Sequence, residues 1–443
     1  MDGVLTEKDD LETQYEAGMG FENLEVMEKN LESGTSGSNS LARQGAPKIA
    51  VSPREQLPGK KVCVVGGGFA GVYTALKLNH MSWKRVESPE ITVIDPKDKF
   101  VLLPLLYEFA TDLSDISEVA QPYSEIFAET PVNFIQDSVA GIDIQMKIIY
   151  LAEGEEVSYD FIVIAVGAEP VRDSIIGAKD HALSFYNLDD ALELQREIRD
   201  FKSSDKEQIE VVIVGGSYSG VELACTLLDY FGPGRVKVVL LDRGHDILKT
   251  ALPDNRRKAE SVLIDGGIEI TTMVQVDRID EDGTVTARKM GEHGNSDEYF
   301  TLKSDLVVVT AGSRANSLLN NLNLEKDASG KIITDGTLLI KGFSDAFALG
   351  DNSVVEDHPD LLPTAQVAFQ ASEYAAWNIW ATINGDRMIP FRYYQTNSIN
   401  NLTARKPSLS PFGFGMKGPV GSLARRLANL TREPSDESSD NDI

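Results

Sequence analysis

Cysteine is nearly missing. The 443 residues hold only Cys63 and Cys225. Neither belongs to a C-x-x-C or C-x₄-C pair, which excludes a disulfide framework, Cys-ligated zinc and an iron–sulfur cluster. Histidine is almost as scarce, and His80, His181, His245, His293 and His358 are scattered, so no metal site is expected. Positive charge is short as well. Lys and Arg total 42 against 69 Asp and Glu, a net charge of −27. A chain this acidic lacks the basic face that displaces counterions, so nucleic acid is not an expected partner. No apolar run is long enough to span a bilayer. The N-terminus has neither the basic start and apolar core of a secretory signal nor the Arg- and Ser-rich, acid-poor composition of an organelle transit peptide. A cytosolic protein and a chain whose true N-terminus is missing both fit this reading.

What is present is a duplicated pattern. The length allows two or three domains. Residues 1–56, acidic and containing Ser33-Gly-Thr-Ser-Gly-Ser-Asn-Ser40, read as a disordered tail, as does the acidic stretch 431–443. Between them the apolar run Lys61-Val-Cys-Val-Val65 predicts a buried parallel strand. A glycine loop follows, then a helical stretch through Leu78, then the strand Ile91-Thr-Val-Ile94 ending at Asp95. Phe161-Ile-Val-Ile-Ala165 later runs into Gly167. The same events recur. Val211-Val-Ile-Val214 enters glycines, a helix runs through Tyr230, Val236-Lys-Val-Val-Leu-Leu241 ends at Asp242, and Leu306-Val-Val-Val-Thr310 ends at Gly312. The expected fold class is therefore α/β with two Rossmann-like dinucleotide-binding domains. The first domain comprises residues 57–180 and resumes at 331–390 with the strand Ala346-Phe-Ala-Leu349 and the pair Gly350-Asp351. The second is inserted at 181–330. A short C-terminal region, 391–430, follows a long helical pattern from Thr364 to Ile383.

The first loop, Gly66-Gly67-Gly68-Phe69-Ala70-Gly71, matches G-x-G-x-x-G between a strand and a helix, with Asp95 lying 24 residues past Gly71. Gly66 permits the turn, Gly68 lets backbone N–H groups approach a pyrophosphate, and Gly71 lets helix and sheet pack closely. The helix N-terminus adds partial positive charge, and Asp95 is placed to accept ribose hydroxyls. The second loop, Gly215-Gly216-Ser217-Tyr218-Ser219-Gly220, puts Ser217 where the middle glycine belongs. Asp242 lies 22 residues past Gly220, where an acid repels a 2′-phosphate and favours NADH over NADPH. The adjacent Arg243 partly opposes that preference. A glycine-rich structural turn and a degenerate repeat are the bland alternatives for the two loops.

Taken together, the two loops, Val166-Gly167 and Ala311-Gly312 at strand ends, and Phe347-Ala-Leu-Gly350-Asp351 resemble the two-dinucleotide-binding-domain flavoproteins. Pro363-Thr-Ala-Gln366-Val-Ala-Phe-Gln370 and Trp377-Asn-Ile-Trp-Ala-Thr-Ile-Asn384 resemble, more narrowly, type II (alternative) NAD(P)H–quinone dehydrogenases. Phe100-Val-Leu-Leu-Pro104-Leu-Leu-Tyr107-Glu108 looks closest to their plastid-type branch. The resemblance covers residues 60 to 395. It implies non-covalent FAD held by Gly66, Gly67, Gly68, Phe69, Ala70, Gly71, Asp95, Gly167, Gly350 and Asp351. NAD(P)H falls to Gly215, Gly216, Gly220, Asp242 and Gly312. Glu222 would link nicotinamide and quinone chemistry, and Gln366 and Gln370 would line the quinone side of the flavin. The activity implied is hydride transfer from NAD(P)H to FAD and onward electron transfer to a quinone, without proton pumping. Glu222 also reads as a helix N-terminal acid favoured by the dipole, and the Gln pair as a polar helix face. Disulfide reductases of the same fold need a cysteine pair beside the flavin, which this chain lacks.

Past Pro390 the resemblance fades. Leu423, Leu427 and Leu430 share one helical face flanked by Arg425 and Arg426, which suits an interfacial helix and equally a short packing helix. The resemblance implies a plastid or mitochondrial location and admits peripheral membrane attachment and a homodimer. Two alternatives stay open: a soluble apoptosis-inducing-factor-like NAD(P)H oxidoreductase with another acceptor, and a catalytically silent scaffold of the same fold.

Overall fold

The computed structural model describes residues 57–393, apart from 172, 233, 250, 252 and 292–297. Both acidic tails and the leucine-bearing segment 418–430 lie outside the described residues. The first half opens with β1 (Lys61–Val65), helix α1 (Phe69–His80) and β2 (Glu90–Ile94). Helix α2 (Leu106–Ala110), β3 (Asn133–Ile135) and β4 (Phe161–Ile164) follow. The second half holds β5 (Leu183–Ser184), α3 (Leu188–Ser203), β6 (Ile209–Val214), α4 (Tyr218–Phe231), β7 (Val236–Leu241), β8 (Glu269–Thr271) and β9 (Leu306–Val309). The chain then returns to the first half with β10 (Ala346–Ala348) and α5 (Ala365–Asn384).

The near-continuous Val and Ile runs become strands covered on both faces, as parallel sheets require. In β1, Val62 to Val65 are at most 2% exposed. The first sheet has the order β10-β4-β1-β2-β3 and the second β5-β9-β6-β7-β8, and every pairing in both is parallel. Four strands therefore repeat in the same order. The fifth differs: it arrives from far downstream in the first sheet and from just upstream in the second. The late arrival of β10 is what makes the first domain discontinuous. Each half also inserts a three-stranded antiparallel meander before its fourth strand, at residues 139–158 and 274–303. An antiparallel ribbon of Ala168–Pro170 with Ser313–Ala315 joins the halves.

Helices α1 and α5 cover one face of the first sheet, where Val62, Val64, Leu76, Phe347, Ala375 and Ile379 share a core. Their contacts advance together. The Tyr73 ring meets Phe369 edge-on at 4.8 Å. One turn on, the charge of Lys77 lies beside Glu373. Further on, Trp380 Nε1 donates to Ser82 O at 3.0 Å, and Arg85 pairs with Asp386 at 3.8 Å. The helices thus run side by side in one direction, with their N-termini at the same end. Thr364 caps α5 by accepting from Val367 N at 3.2 Å, and Gly385 ends it in the left-handed conformation (φ 74°).

Helix α2 lies in the chain between strands of the first sheet but packs elsewhere. Its Leu106, Tyr107, Phe109 and Ala110 share a core with Leu194 and Ile198 of α3 and with Val221, Leu223 and Leu227 of α4. Asp112, just past α2 and at φ 60°, accepts from Arg199 Nε at 3.1 Å, Gln195 Nε2 at 3.1 Å and Tyr230 Oη at 3.2 Å.

Candidate functional site

The first glycine loop leaves room in one place only. A Cβ on Gly66 (φ 107°) would lie 2.3 Å from Ala165 O, one on Gly67 2.3 Å from Tyr123 Oη, and one on Gly71 1.9 Å from Gly66 O. Beside Gly68 it would meet nothing within 4 Å. Gly68 is thus the exposed lip of a cradle whose other residues are packed shut. Phe69 and Ala70 open α1 and are buried behind it. The Asp95 carboxylate accepts from Gly67 N at 2.7 Å and from Lys97 N at 2.9 Å. It therefore fixes the loop as well as standing at its edge. Burial raises the Asp95 pKa, against the two backbone bonds that lower it.

The second loop repeats this geometry. A Cβ on Gly220 would lie 1.9 Å from Gly215 O, and Gly215 (φ 122°) is closed off by Thr310. Asp242 Oδ2 accepts from Gly216 N at 2.6 Å and its Oδ1 from Gly244 N at 2.6 Å. Ser217 holds φ −76° and ψ −179°, against −75° and −168° for Gly68. That extended conformation suits any residue, and Ser217 is exposed like Gly68. The sequence departs from the glycine pattern at the one loop position where a side chain costs nothing.

At the ends of β4 and β10, Gly167 (φ 69°) and Gly350 (φ 86°) take the left-handed conformation, and a Cβ on Gly350 would lie 3.3 Å from Ala70 Cβ. Asn352, fully buried, ties the two ends together. Its Oδ1 accepts from Gly167 N at 3.0 Å and its Nδ2 donates to Ile164 O at 3.0 Å. Asp351 is raised by burial, with Lys331 opposing. Gly312 (φ 89°) ends β9, its carbonyl accepting from Val171 N at 3.0 Å.

Glu222 lies in the first turns of α4 and faces α2. Burial, and then the neighbouring Glu108 carboxylate, push its carboxyl up to about 8, against a hydrogen bond from Tyr107. It therefore holds a proton at neutral pH. Glu108 is itself raised by burial and accepts from Ser114 Oγ at 3.0 Å. Gln366 and Gln370 are half-buried in the first two turns of α5. Tyr393 Oη donates to Gln366 Oε1 at 3.1 Å. Tyr218, which opens α4 beside the second loop, raises the Tyr393 hydroxyl electrostatically, after burial as the larger cause.

The structure thus brings Gly66 to Gly71, Asp95, Gly167, Gly350 and Asp351 to the carboxyl edge of the first sheet. It brings Gly215, Gly216, Gly220, Asp242 and Gly312 to the corresponding edge of the second. Sequence reasoning missed Tyr123, whose hydroxyl donates to Gly67 O at 2.7 Å, as well as Asn352, Thr310 and Tyr393. Only Asn352 carried a signal, its place directly after Gly350-Asp351. The two cysteines are free and stand in different halves, Cys63 in β1 and Cys225 in α4, so they make no dithiol pair; burial raises both thiols to about 12. The donor set of the first loop fits FAD. Packed glycines present backbone N–H groups at a helix N-terminus, and the single open position faces outward.

Residues 60–371 match the pyridine nucleotide-disulphide oxidoreductase family. A demethylphylloquinone reductase, NdbB, of Synechocystis is 36% identical over 383 residues, covering 85% of this chain and 92% of that protein. The alternative NAD(P)H-ubiquinone oxidoreductase C1 of Arabidopsis thaliana, chloroplastic/mitochondrial, is 32% identical, covering 91% and 83%. The type II NADH:quinone oxidoreductase of Staphylococcus aureus is 27% identical, covering 83% and 94%. Among solved structures, NDH2 of Plasmodium falciparum in complex with NADH superposes with a TM-score of 0.62 at 17% identity, over 73% of this chain and 83% of that one. This last likeness speaks for the fold alone. The chain belongs to the pyridine nucleotide-disulphide oxidoreductase family and, within it, to the type II NAD(P)H dehydrogenases.

Proposed function

We propose that this protein oxidises NAD(P)H through non-covalent FAD and reduces a quinone, without pumping protons. The observation that carries the reading is the pair of matched glycine cradles, each at the carboxyl edge of its own parallel sheet. Bound flavin supplies the two-electron link between nicotinamide and acceptor. The first cradle and the α1 N-terminus hold the FAD pyrophosphate, Asp95 orients its ribose, and Gly167, Gly350 and Asp351 take the ribityl region. The N-terminal end of α5 would offer its positive dipole to negative charge on a bound flavin. Gly215, Gly216, Gly220 and Gly312 hold the nicotinamide dinucleotide, and the Asp242 carboxylate disfavours a 2′-phosphate. Gln366 and Gln370 line the acceptor side. Glu222 keeps a proton between the two substrates. A quinone is the acceptor that the names of the three relatives share, and the absence of a cysteine pair removes the disulfide route.

The test starts from the colour of the purified protein. A yellow preparation should be bleached by NADH under anaerobic conditions and recoloured by a soluble quinone faster than by air alone. Recolouring by air at the same rate would favour the soluble oxidoreductase alternative. A colourless protein that takes up no FAD would be the silent scaffold. We further propose a homodimer attached peripherally to a plastid or mitochondrial membrane. The chloroplastic/mitochondrial assignment of the Arabidopsis relative and the sequence spacing of Leu423, Leu427 and Leu430, which lie outside the described residues, support this attachment. No helix among the described residues is long and apolar enough to cross a membrane. Flotation of the full chain with lipid vesicles, and its loss on removal of residues 418–443, checks the attachment; light scattering checks the dimer.

A further inference from the structure

Between α1 and α5 lies a polar stripe that the proposed reaction, as described so far, leaves unused. Tyr73 Oη, Glu373 Oε1 and Trp377 Nε1 are buried there without a hydrogen-bond partner among the described residues. Such atoms are costly unless something satisfies them, and ordered water is the usual solution. On α5, Gln366, Gln370, Glu373 and Trp377 fall within about 60° of the helix circumference at 3.6 residues per turn. On α1, Tyr73 and Lys77 are one turn apart and face the same seam, since Tyr73 packs on Phe369 at 4.8 Å and Lys77 lies beside Glu373. Lys77 is the first residue of α1 that is not buried, so the stripe reaches solvent there. At its other end stand Gln370 and Gln366, on the acceptor side.

Resting on the quinone reading, we propose that this stripe is a water-lined proton path in which Glu373, recharged through Lys77, delivers the solvent proton that quinone reduction consumes. The balance is NAD(P)H + H⁺ + quinone → NAD(P)⁺ + quinol. The hydride brings two electrons and one proton, whereas a quinol needs two protons, so one comes from water. The Glu373 O–H bond breaks and, through intervening water, a quinol O–H bond forms. The carboxylate is then reprotonated from solvent by way of the Lys77 ammonium, and nothing in the stripe changes redox state. The groups facing Glu373 suit this role. Burial raises its carboxyl to about 7, with Lys77 opposing; burial lowers Lys77, with Glu373 opposing. Burial pushes the Tyr73 hydroxyl far up, so it stays protonated and relays only by hydrogen bonding.

The experiment compares holoenzymes of wild type, Glu373→Gln, Glu373→Asp and Lys77→Gln. Flavin reduction by NADH should be unchanged in all four. Reoxidation by a soluble quinone should slow about tenfold in Glu373→Gln, lose its pH dependence near neutrality, show a larger solvent deuterium isotope effect, and recover in Glu373→Asp. Infrared difference spectra of the oxidised protein should show a carboxyl titrating near neutral pH that Glu373→Gln lacks. If Glu373→Gln does not fold, Lys77→Gln carries the same kinetic prediction, with the infrared titration moved upward. Wild-type rates and pH profile in Glu373→Gln and Lys77→Gln would overturn the path, and so would a slowing matched by a lower melting temperature at every pH, which is what an ion pair merely tying two helices would give. A wild type that NADH bleaches but no quinone recolours would overturn the quinone reading, and the path with it.

Discussion

At the scale of single residues, the site is governed by how much water each carboxyl keeps. Glu222 lies against α2 with Glu108 as neighbour, and its carboxyl rises from 4.5 to about 8. The folded chain therefore binds more protons than the unfolded one between those values. The linkage relation then makes stability fall as pH rises through this window, with the full contribution present below 4.5. Glu222→Gln removes the titrating group. Its melting temperature should gain on wild type steadily as pH climbs from 4.5 to about 8 and then hold a constant lead; a constant difference throughout would mean that Glu222 is not desolvated in the fold. Tyr393 acts differently, by direction rather than charge, since its hydroxyl fixes Gln366 Oε1. Tyr393→Phe removes a hydrogen bond worth about 1 kcal/mol, or about fivefold in rate if the amide must be held for the acceptor. Slower reoxidation by quinone with unchanged reduction by NADH is the expected stopped-flow outcome. Equal slowing of both would place Tyr393 in the general packing instead.

At the scale of elements, the decisive feature is how closely the last loop glycine packs on the carbonyl of the first. In both halves a Cβ added to that glycine would lie 1.9 Å from the carbonyl oxygen, so one substitution can interrogate each cofactor separately. Gly71→Ala should yield protein that neither retains nor takes up FAD. Gly220→Ala should stay yellow but bleach with NADH only at concentrations at least about tenfold higher, the loss expected from displacing one well-placed backbone contact. Loss of colour in both variants would mean that the halves fold as one unit rather than bind separately. These elements were legible in the sequence because strand, loop, helix and acid occur in sequence order, and G-x-G-x-x-G states its own geometry. Asn352 was half legible from the pair before it. Tyr123 and Tyr393 were not, because each reaches its partner from a distant part of the chain and no local pattern marks it. The packing of helix α2 was not legible for a related reason: Leu106 and Phe109 are apolar enough to join either core, and the three donors around Asp112 hold the helix against the second.

At the scale of the whole molecule, α2 spans the halves and carries Tyr107 and Glu108 to Glu222, so the proton-holding carboxyl depends on how the halves are held together. The ribbon of Ala168–Pro170 with Ser313–Ala315 fixes the crossing point. The net charge of −27 acts on all of this from outside. A dinucleotide is an anion, and it approaches a chain whose far field repels it; the attraction from a helix N-terminus fades within about a turn. Beyond roughly 8 Å at physiological ionic strength that repulsion is screened. Added salt should therefore speed the encounter, the reverse of what a steered enzyme shows. The second-order rate of flavin reduction by NADH, measured from low ionic strength to about 0.15 M, where screening is strong, should rise. The first-order rate at saturating NADH should stay level, because the bound dinucleotide lies within reach of the short-range donors that salt screens least. A second-order rate that falls with salt would mean that positive groups near the second cradle, with the exposed Arg243 the first to test, outweigh the acidic surface, and Arg243→Ala should then abolish the fall.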